Sequence, residues 1–549
     1  MSIAILKKYK AQLITAGILA LSLAFYVYTL SPSLGWEDAP KFPTQAYLHK
    51  LSALPWNHPI YILIGYLFTK IPVGDVAYRV NLVSAVFGSL TLVVMFSLLR
   101  LLFSSEKGAG ENVKLVAALG ATLSLMVSRT FWFHSVTTEV YIVLSFFTVA
   151  IIYCLARFDI KGETRFLYLG FFLYGLSVSV HLMTVCALPG LVIYLIMMAP
   201  ISSGHKGTSL NLRRIATSGL FFLIGFSLYL GIAVKDFIYI NNGIHAPLTT
   251  INFLTGGRFK ANVLYATYPL YYSPLQAIGY HFYDFMVFGT LLGIFGIFRF
   301  LVKDIRRFGY IFSIYASYLA FAILYYVSDQ NAFYLPALTI FAVFIGYGLL
   351  GLFGLFKTRA KVSVVAAASM AVLLVAPVIV YHTLPDYIAG LDQEQREKWE
   401  ERVIFNYGRR GNWELQAKWQ QEGRGLLIKH YLNPNQRGDF TAREYGESIL
   451  DSLPPNSVFI TGGLFDWYAY ALIDYLQVVE NKRPDVTHIY WDWYLPDDEL
   501  RYRIMVRAIQ SNLGKRPIFV SAPFCNRLSS ALPSYRFLPY GLVYRITVY

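Results

Sequence analysis

Long apolar runs closed by polar turns repeat from the N-terminus to about Tyr381 and then stop. A bilayer core about 30 Å thick takes roughly 20 apolar residues per helical span. Eleven segments meet that length within a few residues: 11–30, 80–102, 113–128, 131–156, 166–181, 183–199, 215–234, 282–301, 310–327, 334–356 and 362–381. A short connection near Arg129 makes the third and fourth a hairpin, and a break around Ser179–Thr184 does the same for the fifth and sixth. Two shorter apolar stretches in the first long loop, Ala46–Leu54 and Ile60–Lys70, predict helices lying in the interface, their Tyr and Trp at headgroup depth. The first apolar run lacks a small-residue cleavage site and is long enough to span, which predicts an anchored helix.

Beyond His382 the period shortens. Ser457–Thr461, Val486–Trp491 and Pro517–Ser521 read as strands, with helices at Phe465–Glu480 and Asp497–Leu513 and a charged helical stretch at Gln393–His430. Strands alternating with helices predict a small α/β domain. The expected fold class is a polytopic α-helical membrane protein of about 11 spans with a C-terminal soluble α/β domain. The expected domains are 1–381, holding extracytoplasmic loops at 31–79 and 235–281, and 382–549. Gly462-Gly463 before a helix could cradle phosphate. Neither a P-loop nor a dinucleotide fingerprint accompanies the pair, so a plain turn is the simpler reading.

Composition agrees: 56% of the residues are hydrophobic and 14% charged, with a mean hydropathy of +0.48. From His382 onward 20 Lys/Arg face 20 Asp/Glu, so the whole net +15 falls in the first 381 residues, where 27 bases face 12 acids. Those bases sit in short inter-span loops and read as topology signals rather than as a nucleic-acid surface. The clusters are Lys7, Lys8 and Lys10; Arg100, Lys107 and Lys114; Arg157, Lys161 and Arg165; Lys206, Arg213 and Arg214; Arg299, Lys303, Arg306 and Arg307; and Lys357, Arg359 and Lys361. Threading eleven spans from a cytoplasmic N-terminus puts every cluster on the cytoplasmic side. The first loop, the 235–281 loop and the tail then lie outside. Cys154, Cys186 and Cys525 offer neither a disulfide framework nor a metal cluster. No Asn-x-Ser/Thr sequon occurs, which favours a bacterial cytoplasmic membrane over the endoplasmic reticulum.

That topology brings ionisable residues of separate segments to one depth. Glu37, Asp38, His58, Arg79 and Asn81 lie in or beside the first loop. Arg129, His134 and Glu139 sit at the outer end of spans three and four, His181 at that of span five, and Asp329, Gln330 and Asn331 at that of span nine. The tyrosine-rich 235–281 loop adds Arg258 and Lys260. Acids and bases on several helices at one depth are expected to face a shared cavity. Each has a plainer reading beside this one. Asp38 caps the following helix, Glu37 is a solvated neighbour, His58 bonds at a helix start, and Arg79 snorkels. Glu139 pairs structurally with Arg129 or His134, His181 is an interhelical polar group, and Asp329 begins span ten.

WEDAPKF, NHPIYILIGYLF, RVNLVSAVFGS, HSVTTEVY and YVSDQNAFYLPA, in that order, resemble a bacterial and eukaryotic family of GT-C-type membrane glycosyltransferases. Its characterised animal members are protein O-mannosyltransferases acting on β-sandwich domains of receptors. The likeness covers most of 30–350 and extends to NKRPDVTHIY and LPYGLVYRITVY in the tail. It implies that Asp38 is the catalytic base, and it matches His58-Pro59, Arg79 with Asn81, and Glu139 to family positions. Two departures stand out. Ala39-Pro40-Lys41 replaces the usual Ser-Gly-Glu, and Ile60 replaces a second Pro.

The expected reaction moves a sugar, mannose or a similar hexose, from a polyprenyl-phosphate donor to Ser/Thr hydroxyls of secreted proteins, with inversion and with neither cofactor nor metal. Asp38 takes the hydroxyl proton. Arg79, with Arg258 and Lys260, contacts the phosphate. Glu37, His58, Asn81, Glu139, Arg129 and Asp329 complete the substrate-binding set. The partners are the lipid-linked donor, a secreted or periplasmic acceptor protein and the bilayer. A transferase acting on polysaccharide or lipid, or an oligosaccharide ligase, shares the expected fold. A transporter would show inverted repeats and Gly/Pro-broken helices at mid-membrane, and neither is evident.

Overall fold

A computed structural model of the chain describes residues 3–36, 38–54, 57–197, 210–240, 251, 257, 272–325, 327, 330–356, 358–392, 395, 430, 432–462, 467–490 and 498–548. Its contacts divide the chain into two compact units. The first comprises Met1–Leu30, Leu51–Ile64 and Leu82–His382, and the second Ser31–Lys50, Gly65–Asn81 and Thr383–Tyr549.

The helices up to residue 389 are α1 (Ile3–Tyr28), α2 (Lys41–Tyr47), α3 (Pro59–Phe68), α4 (Val76–Phe103), α5 (Glu111–Met126), α6 (Arg129–Val136), α7 (Tyr141–Lys161), α8 (Thr164–Ser177) and α9 (Leu188–Met197). They continue with α10 (Leu212–Ile240), α11 (Tyr272–Lys303), α12 (Ile305–Leu324), α13 (Gln330–Gly354) and α14 (Arg359–Ala389). Among the described residues eight of these are long and apolar enough to cross a membrane: α1, α4, α7 and α10 to α14. The pair α5 and α6, bent by 62°, makes a ninth where the two are counted as one span. The chain is a multi-pass membrane protein. Helix α8, of 14 residues, and apolar Leu182–Met197 stand where 166–181 and 183–199 were expected to span.

Two expectations need correcting. The chain bends at Val127–Ser128 but runs on as α6, and the break before α7 falls at 137–140, so 131–156 is not one helix. Ser128 and Thr137 are both extended, and the Ser128, Ser135 and Thr137 hydroxyls bond carbonyls three or four residues back, competing with the helical ladder. In the first loop, helix forms at Lys41–Tyr47 rather than Ala46–Leu54. The backbone at His49 takes φ +51, a left-handed turn that stops the helix there. Packing in the first unit is close where small residues allow it. A Cβ on Gly175 of α8 would sit 2.1 Å from the Phe222 carbonyl, and one on Gly225 of α10 would sit 2.2 Å from that of Phe172. Glycine at both positions lets the two backbones touch.

The second unit is built on a five-stranded sheet in the order β2-β1-β3-β5-β4, with β1 at Val458–Thr461, β2 at Thr487–Tyr490, β3 at Ile518–Ser521, β4 at Tyr535–Tyr540 and β5 at Val543–Val548. The first three strands are parallel and β5 joins antiparallel. Helices α15 (Thr441–Ser452), α16 (Trp467–Val478), α17 (Asp498–Asn512) and α18 (Ala522–Ala531) complete it. Alternation splits the core. Val458, Ile460, Ile518 and Val520 pack on one face with Met505, Ile509, Phe524 and Leu528, while Phe459 and Phe519 pack on the other with Tyr445, Ile449, Leu472 and Tyr475. Strands β1 and β3 are buried along their whole length, which explains their unbroken apolar sequences. Where the phosphate cradle was considered, a Cβ on Gly462 would lie 2.5 Å from the Phe524 ring, so that glycine makes room for packing.

Leu34, Trp36 and Ala77 belong to the same core as α15 and α16. Residues 31–50 and 65–79 of the first loop are thus part of the second unit, while 51–64 belong to the first. Asp75 accepts from the Ser33 hydroxyl and the Tyr78 amide, and the Arg443 guanidinium reaches Asp75 at 3.2 Å, Glu447 at 3.1 Å and Glu480 at 2.5 Å. Arg443→Met removes the cation shared by three half-buried carboxylates. A loss of about 2 kcal/mol is expected, below the cost of a fully buried pair because water reaches this one. Denaturant unfolding of the purified chain measures it. Asp474, on α16, has its carboxyl pushed up to about 6 by burial, against the pull of Lys50. The folded chain holds that proton more tightly than the unfolded chain, so stability falls as pH rises from about 4 to about 6. Asp474→Asn is expected to raise stability by about 1 kcal/mol at pH 7.5 and to give no gain at pH 4, read from melting curves at both pH values.

Candidate active site

Asp38 opens the turn that leads into α2. Its main-chain carbonyl accepts from Lys41 N–H at 3.0 Å and from Phe42 N–H at 3.4 Å, and Pro40, which has no side-chain acceptor, occupies the capping position. The helix start is therefore satisfied by backbone. The half-buried Asp38 carboxylate has no hydrogen-bond donor among the described residues. Its surroundings are fixed closely. The Ala39 amide bonds the Trp36 carbonyl at 3.2 Å, Phe42 is fully buried, and Lys41, the nearest cation along the chain, is 6% exposed with its ammonium 5.3 Å from the Phe42 ring.

Arg79 and Asn81 do other work. The Arg79 guanidinium donates at 2.9 Å to three carbonyls of its own loop, those of Thr69, Val73 and Gly74. Asn81 Nδ2 donates to the Ser31 and Ser33 carbonyls. Both side chains shape the first loop, a task that the expected phosphate and substrate contacts had not foreseen. Glu37, Arg258, Lys260 and Asp329 lie outside the described residues.

The other site candidates belong to the first unit. His58 donates through Nδ1 to the Val180 carbonyl at 2.8 Å, and its ring stacks on His181 at 4.9 Å. Tyr141 lies 5.0 Å from both His181 and Phe333, so His58 just before α3, residues of α7 and α13, and His181 at the 180–182 break form one aromatic row. His181 Nδ1 accepts from the Met183 amide. His134 is buried nearby, 6.3 Å from Tyr141, and neither ring nitrogen has a partner among the described residues.

Glu139 is buried in the 137–140 connection rather than on a helix, with its amide 3.5 Å from Ser84 Oγ and the Tyr61 hydroxyl close by. Arg129 heads α6 and stacks over Phe133 at 4.7 Å. The start of α6 is held from elsewhere. The Asp284 carboxylate of α11 accepts from Thr130 N–H at 2.7 Å and Thr130 Oγ1 at 2.9 Å, and the Arg129 amide donates to Tyr381 OH at 3.1 Å. That hydroxyl in turn points at the carbonyls of Tyr283 and Asp284. Helix α11 is itself broken at Met286, where φ is +53. Broken helices in a membrane persist only where other groups satisfy the freed backbone, and Asp284 and Tyr381 do that here.

Residues 51–203 match the family model for the protein O-mannosyl-transferase TMEM260 N-terminal domain. The protein O-mannosyl-transferase TMEM260 of Mus musculus is 28% identical over 185 residues, 32% of this chain and 25% of that protein. The chain thus matches about a quarter of that relative's length. Among solved structures, ArnT from Cupriavidus metallidurans superposes with a TM-score of 0.61 in its apo state and 0.60 bound to undecaprenyl phosphate, at 11% and 10% identity, covering 98% of both chains in each case. The chain has the fold of GT-C membrane glycosyltransferases. The GT-C architecture agrees with the fold class expected from the sequence.

Within the GT-C fold, Asp284, Tyr381 and Lys41 were missed by sequence reasoning. Asp284 had a signal that could have found it, a carboxylate three residues into a segment expected to span. Lys41 follows Asp38 by three positions and was noted only as a departure from a family pattern. Tyr381 had none, because tyrosines at the ends of spans are the rule.

Proposed function

We propose that the chain is a glycosyltransferase moving a hexose, mannose or a close relative, from a polyprenyl-phosphate donor to Ser/Thr hydroxyls of exported proteins. The observation that carries this is the Asp38 carboxylate. Loop, helix start and neighbouring rings are all fixed without it, which leaves it available to take a proton. In the proposed step the acceptor hydroxyl gives its proton to Asp38 as its oxygen attacks the anomeric carbon. The bond to the phosphate breaks on the opposite face, so the anomer inverts. Lys41, with Arg258 and Lys260, supplies cationic charge toward the leaving phosphate. Glu37, His58, Glu139, Arg129 and Asp329 contact substrate, while Arg79 and Asn81 contribute by shaping the loop. The ArnT relative bound to undecaprenyl phosphate supports a donor of that class.

The membrane is a bacterial cytoplasmic one, with the N-terminus inside and the 382–549 domain outside beside the acceptor. Threading of the basic loops supports this orientation. The broken helices α5–α6 and α11 favour one second reading, a transporter, because such breaks build transporter sites. Against it, the Arg129 and Thr130 amides at the α6 start are already taken by Tyr381 and Asp284 rather than held out for a substrate.

The test uses the purified full chain in liposomes with undecaprenyl-phosphate-mannose, the glucose and galactose analogues, and exported proteins as acceptors. Mass spectrometry should find a hexose on Ser or Thr. Transfer only to glycan or lipid would move the assignment to a ligase or lipid-modifying transferase. Counterflow without transfer would favour the transporter, and no transfer from any donor would sink the proposal.

A further inference from the structure

Within the second unit, a chain of polar contacts runs from residues 430–441 to Trp36, two positions before Asp38. Trp36 Nε1 donates to Thr441 Oγ1 at 3.0 Å, joining residues 405 positions apart. Thr441 Oγ1 carries one proton and gives it to Asp439 Oδ1 at 2.6 Å, so toward the indole it can only accept. Asp439 also takes the Thr441 amide at 3.0 Å, and its other oxygen faces His430 Nδ1 at 2.7 Å. The ring of Tyr445, one turn along α15, packs at 5.6 Å against the indole. Trp36 is thereby fixed in direction as well as in place. Its carbonyl accepts from the Ala39 amide, and the turn from there leads to the Asp38 carbonyl that starts α2.

We propose that Thr441 is a positioning residue for Asp38, oriented by the Asp439–His430 pair and acting through Trp36. The inference rests on the assignment of Asp38 as the base. It also gives the soluble unit a task in the reaction, which is to hold the loop carboxylate where the fold leaves it unspent. Removal of the Thr441 hydroxyl leaves a buried indole N–H without its acceptor, and the 36–42 turn loses its fixed partner. Serine keeps the hydroxyl and the contact.

Two measurements on the full chain test this. By hydrogen exchange in detergent, Thr441→Val is expected to speed exchange of the Ala39, Lys41 and Phe42 amides about tenfold while β1 and β3 stay protected, and Thr441→Ser is expected to match the wild type. In transfer assays with undecaprenyl-phosphate-mannose, the valine variant should lose about tenfold in kcat at unchanged donor KM, with serine restoring it. Unchanged exchange at 39–42, or deprotection spreading through the whole sheet, would overturn the proposal. If Asp38→Asn transfers at full rate while the exchange result holds, the base assignment fails and the strut stands. If Asp38→Asn is inactive while Thr441→Val is fully active, the strut fails and the base stands.

Discussion

Asp38→Asn is expected to lower the rate of sugar transfer by at least a hundredfold, and up to about ten-thousandfold, with little change in donor KM. The asparagine has nearly the same size and shape, and the fold asks nothing of the carboxylate. The Lys41 and Phe42 amides bond the Asp38 main chain, and Pro40 holds the cap position. Stability should therefore be unchanged, and the loss confined to the step in which the hydroxyl proton leaves. Asp38→Glu should retain part of the rate, because it keeps the base and misplaces it by one carbon. Single-turnover transfer from undecaprenyl-phosphate-mannose, with a melting curve on each variant, separates the chemistry from folding. An Asn variant that transfers at the wild-type rate removes Asp38 from the mechanism. One that melts well below wild type shows that the carboxylate serves the fold after all.

Much of the architecture is legible because a membrane leaves the backbone no partner except its own helix, so apolar length alone marks α1, α4, α7 and α10 to α14. Strands β1 and β3 are legible for a related reason, since burial on both faces demands an unbroken apolar run. The hairpin of β4 and β5 is not. Tyr535–Tyr540 is largely exposed and contains Pro539, which marks it as an edge rather than announcing a strand. The two-residue turn behind it relies on Gly541, at φ +58, where hairpin twist favours glycine.

The candidate site divides the same way. An acid just past the first span announces Asp38. That its carboxylate is left unspent follows from neighbours whose effect shows only once the chain has folded. Arg79 displays a guanidinium in sequence but not the three carbonyls that occupy it. The bend at Val127–Ser128 carries no Gly or Pro, because the groups that permit it lie on α11 and α14, more than 150 positions downstream. Long-range partners, rather than weak local propensity, account for what could not be read.

Asp284→Ala is expected to destabilise the first unit by about 3 kcal/mol, since it strips the Thr130 amide and hydroxyl of their acceptor in a region that water does not reach. The Thr130 hydroxyl can turn back to a carbonyl of the preceding helix, whereas the amide has nowhere to turn. Asp284→Asn keeps one acceptor oxygen and should cost about 1 kcal/mol, so the difference between the two variants isolates acceptor loss from the loss of charge near Arg129. Tyr381→Phe attacks the same bend from the other side, removing the hydroxyl that receives the Arg129 amide and faces the Tyr283 and Asp284 carbonyls. Because both side chains support one break, their effects should not add. The double variant should lose measurably less than the sum of the singles, by about 0.5 kcal/mol or more. Glu139 lies just past the far end of α6, so transfer should fall in Asp284→Ala even at temperatures where the chain stays folded. Thermal unfolding in detergent, read beside transfer rates at a fixed low temperature, measures both effects. A fully stable alanine variant would mean that the bend is held by packing alone, and additive losses would mean that Asp284 and Tyr381 support different parts of the bundle.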